Sequence, residues 1–290
     1  MRRDRKYILM AVAVLALAGA ACRIPDITLR RMEVGPTVTE DIAVEPPAAA
    51  GTPEVEILMG AGELLLSPGG QDLLVEGVVT YNVEELAPTV VTDGNRVRVR
   101  QGDDQFDATI PDLTGDVQNT WDLMLGSMPL ALTVNVGAAL AELDLGGLSL
   151  TELTISQGAS RFDLRFSEPN QVEMSLLRFN GGASHSTLTG LANANAAEII
   201  FRGGAGSYTL EFTGELRQDL TVQVEAGLGE MVIIVPEDVA AEATFEGALT
   251  DVEAYHAWER SGNTYTLPGD GPQITFDIRM GAGSLELRNR

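Results

Sequence analysis

The sequence predicts an all-β protein, a right-handed β-solenoid built from coils of about 22 residues. Three observations predict it. A Gly-Ala pair recurs at near-constant spacing, large apolar residues hold fixed offsets around it, and the residues between those offsets are mostly polar. The glycines are Gly60, Gly137, Gly158, Gly182, Gly204, Gly227 and Gly281, each followed by Ala except Gly227, where Leu228 stands. From Gly137 the successive spacings are 21, 24, 22, 23 and 54 residues, a repeat broken by one insertion.

The frame around each glycine defines the coil. Five residues before stand Val55, Leu132, Leu153, Leu177, Ile199, Val222 and Phe276. Three before stand Ile57, Val134, Ile155, Phe179, Phe201, Val224 and Ile278. Six after stand Leu66, Leu143, Leu164, Leu188, Leu210, Ile233 and Leu287. Apolar residues two apart on either side of a glycine describe two short strands joined by a bend. Glycine there admits backbone angles that a Cβ would forbid, and alanine keeps the corner narrow. One coil cannot bury its inner side chains alone, whereas stacked coils close a continuous aliphatic core. A pair of β-sandwich domains also uses short alternating strands but requires no such regular recurrence.

The remaining elements follow in chain order. Residues 1–21 carry Arg2, Arg3, Arg5 and Lys6 before the apolar run Tyr7–Ala21, the pattern of an export signal. As a helix that run is roughly 22 Å long, short of a ~30 Å hydrocarbon core. Residues 22–53 read as a lipid anchor and flexible linker, with Pro25, Pro36, Pro46, Pro47 and Pro53 favouring extended chain. Within it, Ile27 to Val34 alternates and could instead pair with a domain edge. Residues 54–130 form an N-terminal β region with strands over Leu73–Tyr81 and Arg96–Arg100. Residues 131–290 form the repetitive solenoid, with an insertion at 247–273. Gly247-Ala248 reads there as a decayed copy of the repeat, with Glu253 in the slot of an aliphatic residue. Leu140–Leu153 and Leu191–Ile200 contain good helix formers but lie on the repeat frame, so they read as coil arcs and strands.

Composition excludes several functions. With 19 basic against 42 acidic side chains the net charge is −23, which opposes nucleic acid as a partner. No lysine follows Lys6, so Schiff-base and P-loop lysine chemistry is absent from the body of the chain. Cys22 is the single cysteine, which excludes an internal disulfide, and His185 and His256 are too few for a histidine-built metal centre. Ser184-His185-Ser186 sets a hydroxyl beside an imidazole, but neighbours along a strand face opposite ways. The carboxylate groups Glu84-Glu85, Asp103-Asp104, and Asp112 with Asp116 read as solvated charge. Asp103, Asp104 and Asp107 lack the spacing of a calcium loop. No catalytic residue, metal site or cofactor is expected. Tyr255, His256, Trp258 and Tyr265 gather aromatics in the insertion, where they can cap the solenoid end or form a ligand platform.

Two resemblances add to this. Gly19-Ala20-Ala21-Cys22 resembles a bacterial lipobox, which implies that Cys22 is acylated; ordinary cleavage after Ala20 or Ala21 is the alternative. Met59-Gly-Ala-Gly-Glu-Leu, Val79-Thr-Tyr-Asn-Val, Asn119-Thr-Trp-Asp-Leu and the closing Met280-Gly-Ala-Gly-Ser-Leu-Glu-Leu resemble the bacterial toast-rack domain family. That family is similar to LiaF-like cell-envelope proteins and to the head-GIN adhesin-type β-solenoids. The resemblance implies an exported, membrane-anchored, non-enzymatic module at the outer face of the cell membrane. Such a module binds or scaffolds an envelope protein or polysaccharide, with a link to envelope stress signalling. An adhesin-like surface protein is the alternative.

Overall fold

The computed structural model describes residues 33–70, 72–102, 117–255 and 257–290. The expected export signal, Cys22, Asp103, Asp104, Asp107, Asp112, Asp116 and His256 lie outside them. The chain runs β1 (Val38–Val44), β2 (Glu54–Gly70), β3 (Val75–Tyr81), β4 (Pro88–Asp93), β5 (Arg96–Gln101) and β6 (Asn119–Gly126). It continues through β7 (Leu130–Asp144), β8 (Leu150–Gln157), β9 (Arg161–Arg165), β10 (Met174–Thr189), β11 (Ala196–Glu211) and β12 (Leu220–Val235). Last come β13 (Ala240–Ala254), β14 (Glu259–Ser261), β15 (Thr264–Leu267) and β16 (Gln273–Asn289). The architecture is all-β. The two stretches rich in helix formers lie on strands, apart from turns and a single 3-10 turn at Leu191–Ala194.

The long strands stack as parallel rungs in the order β2, β7, β8, β10, β11, β12, β16 and β13. β8 and β9 are the two arms of one rung, parted at Gly158, and both pair with β7 and β10. In every rung from β2 to β16 the register sets frame residue on frame residue, for example Leu177 beside Leu153 and Ile199, and Leu210 beside Leu188 and Ile233. All three apolar columns of the repeat are at most 2% exposed. A fully buried side chain of this size contributes about 1.5–3 kcal/mol, so the columns supply the main driving force for folding. Phenylalanines thicken the middle of the stack. Phe179 and Phe201 lie face to face at 5.1 Å, and Phe162 meets Phe179 edge-on at 5.6 Å.

Each rung bends once. Within β11, Phe201 and Tyr208 both point into the same core although they are an odd number of residues apart. A straight strand would send them to opposite faces. The frame glycines reconcile this for a reason other than the one expected. They do not occupy positive φ; instead they lie one above another, so close that a Cβ has no room. An added Cβ would stand 2.6 Å from the Gly158 carbonyl oxygen at Gly182, 2.6 Å from that of Gly182 at Gly204, and 2.7 Å from that of Gly204 at Gly227. Left-handed backbone occurs two residues later, at Gly62 (φ 140°), Gly229 (φ 141°) and Gly283 (φ 133°). On the opposite side, asparagines bind the connecting loops together. Asn170, fully buried, accepts from Leu150 N–H and donates to the Leu150 and Val172 carbonyls, while Asn195 also donates to Val172.

Two expectations need correction. The segment expected to be a flexible linker up to residue 53 supplies β1, which pairs antiparallel along the whole of β3. Its inner residues Ile42 and Val44 are buried against the core, and the Tyr81 hydroxyl donates to Glu40 across the pair. The insertion expected at 247–273 begins later, because Ala240–Ala254 is a rung. It pairs with β16 so that Gly247 lies beside Met280 and Ala254 beside Leu287. Ala248 therefore takes the frame position, one residue beyond the expected Gly247. A shift of one residue exchanges the two faces of a strand, so Glu253 is an outward residue and not a failed core position. The inserted part is the β14–β15 hairpin and its flanking loops, which cover the first arm of β13. The last strand, β16, thus lies between β12 and β13.

Gly204→Ala should lower stability by about 1–3 kcal/mol, because the new methyl meets a fixed carbonyl. Gly35→Ala, whose nearest atom would be Asn82 O at 3.6 Å, should not. Urea unfolding of the two variants checks this. The Tyr81 phenol is pushed up to about 12, first by its hydrogen bond to Glu40, then by burial and by nearby carboxylate charge. The folded state holds this proton more tightly than the unfolded chain does. The resulting stability is complete below the usual tyrosine pKa of about 10 and is lost as pH rises through about 12. Glu40→Gln should return the phenol toward its usual value in an ultraviolet titration.

Candidate functional site: the groove along the bend

The bend that the glycines permit leaves a hollow on the outer surface. Because the frame position carries no side chain in rung after rung, the residue two before it forms one wall and the exposed backbone forms the floor. Between β2 and β10 the hollow measures about 430 Å3, with Leu58, Asn135, Ser156 and Asn180 on its wall. Between β11 and β13 it measures about 600 Å3, walled by Arg202, Glu225, Arg279 and Glu246. The first section is neutral and amide-rich, with Asn180 donating to the Ser156 hydroxyl at 3.4 Å. The second is a charge ladder. Arg202 meets Glu225 at 3.0 Å, Arg279 lies 3.9 Å from Glu225 and 3.5 Å from Glu246, and Asp277 also binds Arg279 at 2.7 Å. These side chains are about half exposed, so the pairs are screened and contribute little stability, leaving their hydrogen-bonding groups open to exchange partners.

Beneath the neutral section lies a closed polar cluster. The Gln157 amide donates to Ser184 Oγ at 2.5 Å and to Ser186 Oγ at 3.2 Å, and Ser160 donates back to Gln157. Its members satisfy one another, which makes it structural. The alternation along β10 turns Ser184 and Ser186 inward and leaves His185 exposed, so no hydroxyl–imidazole pair forms. Glu84 and Glu85 lie exposed on a single 3-10 turn. Among the described residues no three His, Cys, Asp or Glu side chains gather as a metal site.

The aromatic residues singled out in the sequence do not form one surface. Trp258 and Tyr265 are buried at 7% and 2% exposure, where the β14–β15 hairpin closes over the core. Arg260 covers the Tyr265 ring at 5.3 Å. Tyr255 faces outward at the end of β13, donating to Glu253, with Arg288 at 5.9 Å over its ring. The hydrogen bond to Glu253 is the main reason its phenol lies above the usual value. The floor of the groove is lined by repeat glycines, which the sequence marks as corners and not as an open surface. The legible trace of its wall is the row of Asn135, Ser156 and Asn180 at a constant offset from those glycines.

Residues 33–176 match the family model for the N-terminal domain of toast_rack. Over that segment the chain belongs to the toast-rack family. The toast-rack match spans β1 to the start of β10, which includes Leu58, Asn135 and Ser156 of the neutral section of the groove but not Asn180. A solved structure of a candidate cell adhesion protein from Clostridium sporogenes is similar at 18% identity and a TM-score of 0.50, covering 88% of this chain and 100% of its own. A candidate adhesin from Bacteroides fragilis is similar at 13% identity and a TM-score of 0.43, covering 87% of this chain and 97% of its own. The first of these shows that the stacked β fold extends beyond the toast-rack segment. No protein of curated function matches the chain. No helix among the described residues is long and apolar enough to cross a membrane.

Trp258→Ala should cost about 3–5 kcal/mol in urea unfolding, because it removes a buried ring. Arg279→Gln should stay within about 0.5 kcal/mol of the parent, because its ion pairs are half solvated.

Proposed function

We propose that this toast-rack protein is an exported, non-enzymatic binding module of the cell envelope, adhesin-like in action, which holds an extended ligand along the groove of the bend. The observation that carries this is the row Asn135, Ser156, Asn180, Arg202, Glu225 and Arg279, one side chain per rung, set beside exposed backbone. A row repeating at the ~4.8 Å strand spacing suits a ligand that is itself extended, and it presents donors and acceptors without a clustered reactive group. The name given to the similar Clostridium sporogenes protein supports the adhesive reading. The reading includes acylation of Cys22 as the attachment, and right-handed winding of the stack, the hand taken by parallel crossover connections. A module held at the membrane face in this way can also scaffold other envelope components or take part in stress signalling.

Crosslinking of the full chain on intact cells, with membrane-impermeant labelling, tests the proposal. The expected result is surface labelling, together with one envelope component whose recovery falls at least tenfold in the Asn180→Ala/Arg202→Ala double variant. Failure of the folded chain to label would overturn the surface placement. Equal recovery by the double variant would overturn the groove as the binding site.

A further inference from the structure

The stack has two ends, and each end has two arms, one on either side of the bend. Three of these four arm ends are closed by an antiparallel strand from the chain itself. β4 covers β5, β3 backed by β1 covers β6, and β15 backed by β14 covers the first arm of β13 at Ala241–Thr244. Among the described residues the fourth is open: Leu249–Ala254 of β13 pairs with β16 on one side and with no described strand on the other. The core shows the consequence. Leu285 and Leu287 on β16 are fully buried, whereas their neighbours Val252 and Ala254 are half-buried and exposed.

We propose that Leu249–Ala254 is a docking edge for an extended segment of another protein, laid antiparallel, in which basic residues alternate with apolar ones. The antiparallel sense follows the other three closures. The alternation follows from the two faces of the edge. Residues of the incoming strand beside Val252 and Ala254 continue the core columns and are apolar. Those on the outer face lie beside Asp251 and Glu253, and opposite charges across a strand pair attract; Glu286 of the next rung is already paired with Arg288. Carboxylates on an edge also repel an identical edge, which disfavours a second copy of this chain and leaves a cationic strand as the fitting occupant. The net charge of −23 adds long-range attraction for such a segment.

Fluorescence anisotropy with the full chain and two labelled eight-residue peptides, one alternating Lys and Val and one alternating Glu and Val, tests the inference. The Lys-Val peptide should bind saturably, about tenfold or more tighter than the Glu-Val peptide, and less tightly as salt is raised. Asp251→Lys/Glu253→Lys, whose changes lie on the solvent face, should reverse the preference while circular dichroism stays unchanged. Hydrogen exchange should show protection gained at residues 249–254. The groove variant Asn180→Ala/Arg202→Ala should bind the peptide normally, which separates this edge from the groove. Absence of saturable binding, or binding indifferent to the charge reversal, would overturn the proposal. So would sedimentation of the free chain as a dimer whose residues 249–254 are already protected.

Discussion

Close contact between glycine backbones of successive rungs governs this fold. At the bend, the carbonyl of one rung occupies the space where the next would carry its Cβ. Seven rungs share that contact, and it sets both the register of the ladder and the angle between the arms. Once the arms are fixed, alternate residues of each arm converge on one interior, and branched aliphatic side chains fill it. The groove is the outer counterpart of the same contact. Packing at the bend and the presence of the groove therefore depend on one omission of atoms, repeated along the stack.

Charge agrees with the order of the final rungs. In the chain the groove residues run Arg202, Glu225, Glu246 and Arg279. If β13 lay directly on β12, Glu225 would lie beside Glu246, a like-charge pair across adjacent strands. With β16 between them the order in space becomes Arg202, Glu225, Arg279, Glu246, and every neighbour is of opposite sign. Individually these half-exposed pairs contribute little to stability. The larger difference is apolar: β16 brings Phe276, Ile278 and Leu287 to the core columns, where β13 has Ala243, Phe245 and Ala254 at the same register positions.

The repeat was legible in the sequence because its chemistry recurs. Leu132, Leu153, Leu177 and Ile199 stand at one offset with nothing polar among them, and all are buried. A further inner column, with Leu64, Ala141, Phe162, Ser186, Tyr208 and Met231, escaped notice because its members share only an inward direction. The role of β1 was hidden by the prolines around it, although Ile42 and Val44 alternate as an edge strand should. The register of β13 was misread by one residue because Gly247 resembles a frame glycine while Ala248 fills that place. The groove was legible only in part: the glycines that form its floor are the repeat itself, but their spacing marks corners and does not say that the backbone there stays uncovered.

Synthesis of the chain gives the place of β16 a temporal meaning. The ribosome delivers β13 before β16, and Ala248 follows Gly227 at 21 residues, well within the normal period of the repeat. The nascent protein therefore meets an early partner for β12 that is correctly spaced but wrongly charged. In the finished stack β13 reaches β12 only through β16, which pairs with both. The place of β13 is therefore fixed only once the last strand has been made, and that strand locks what precedes it.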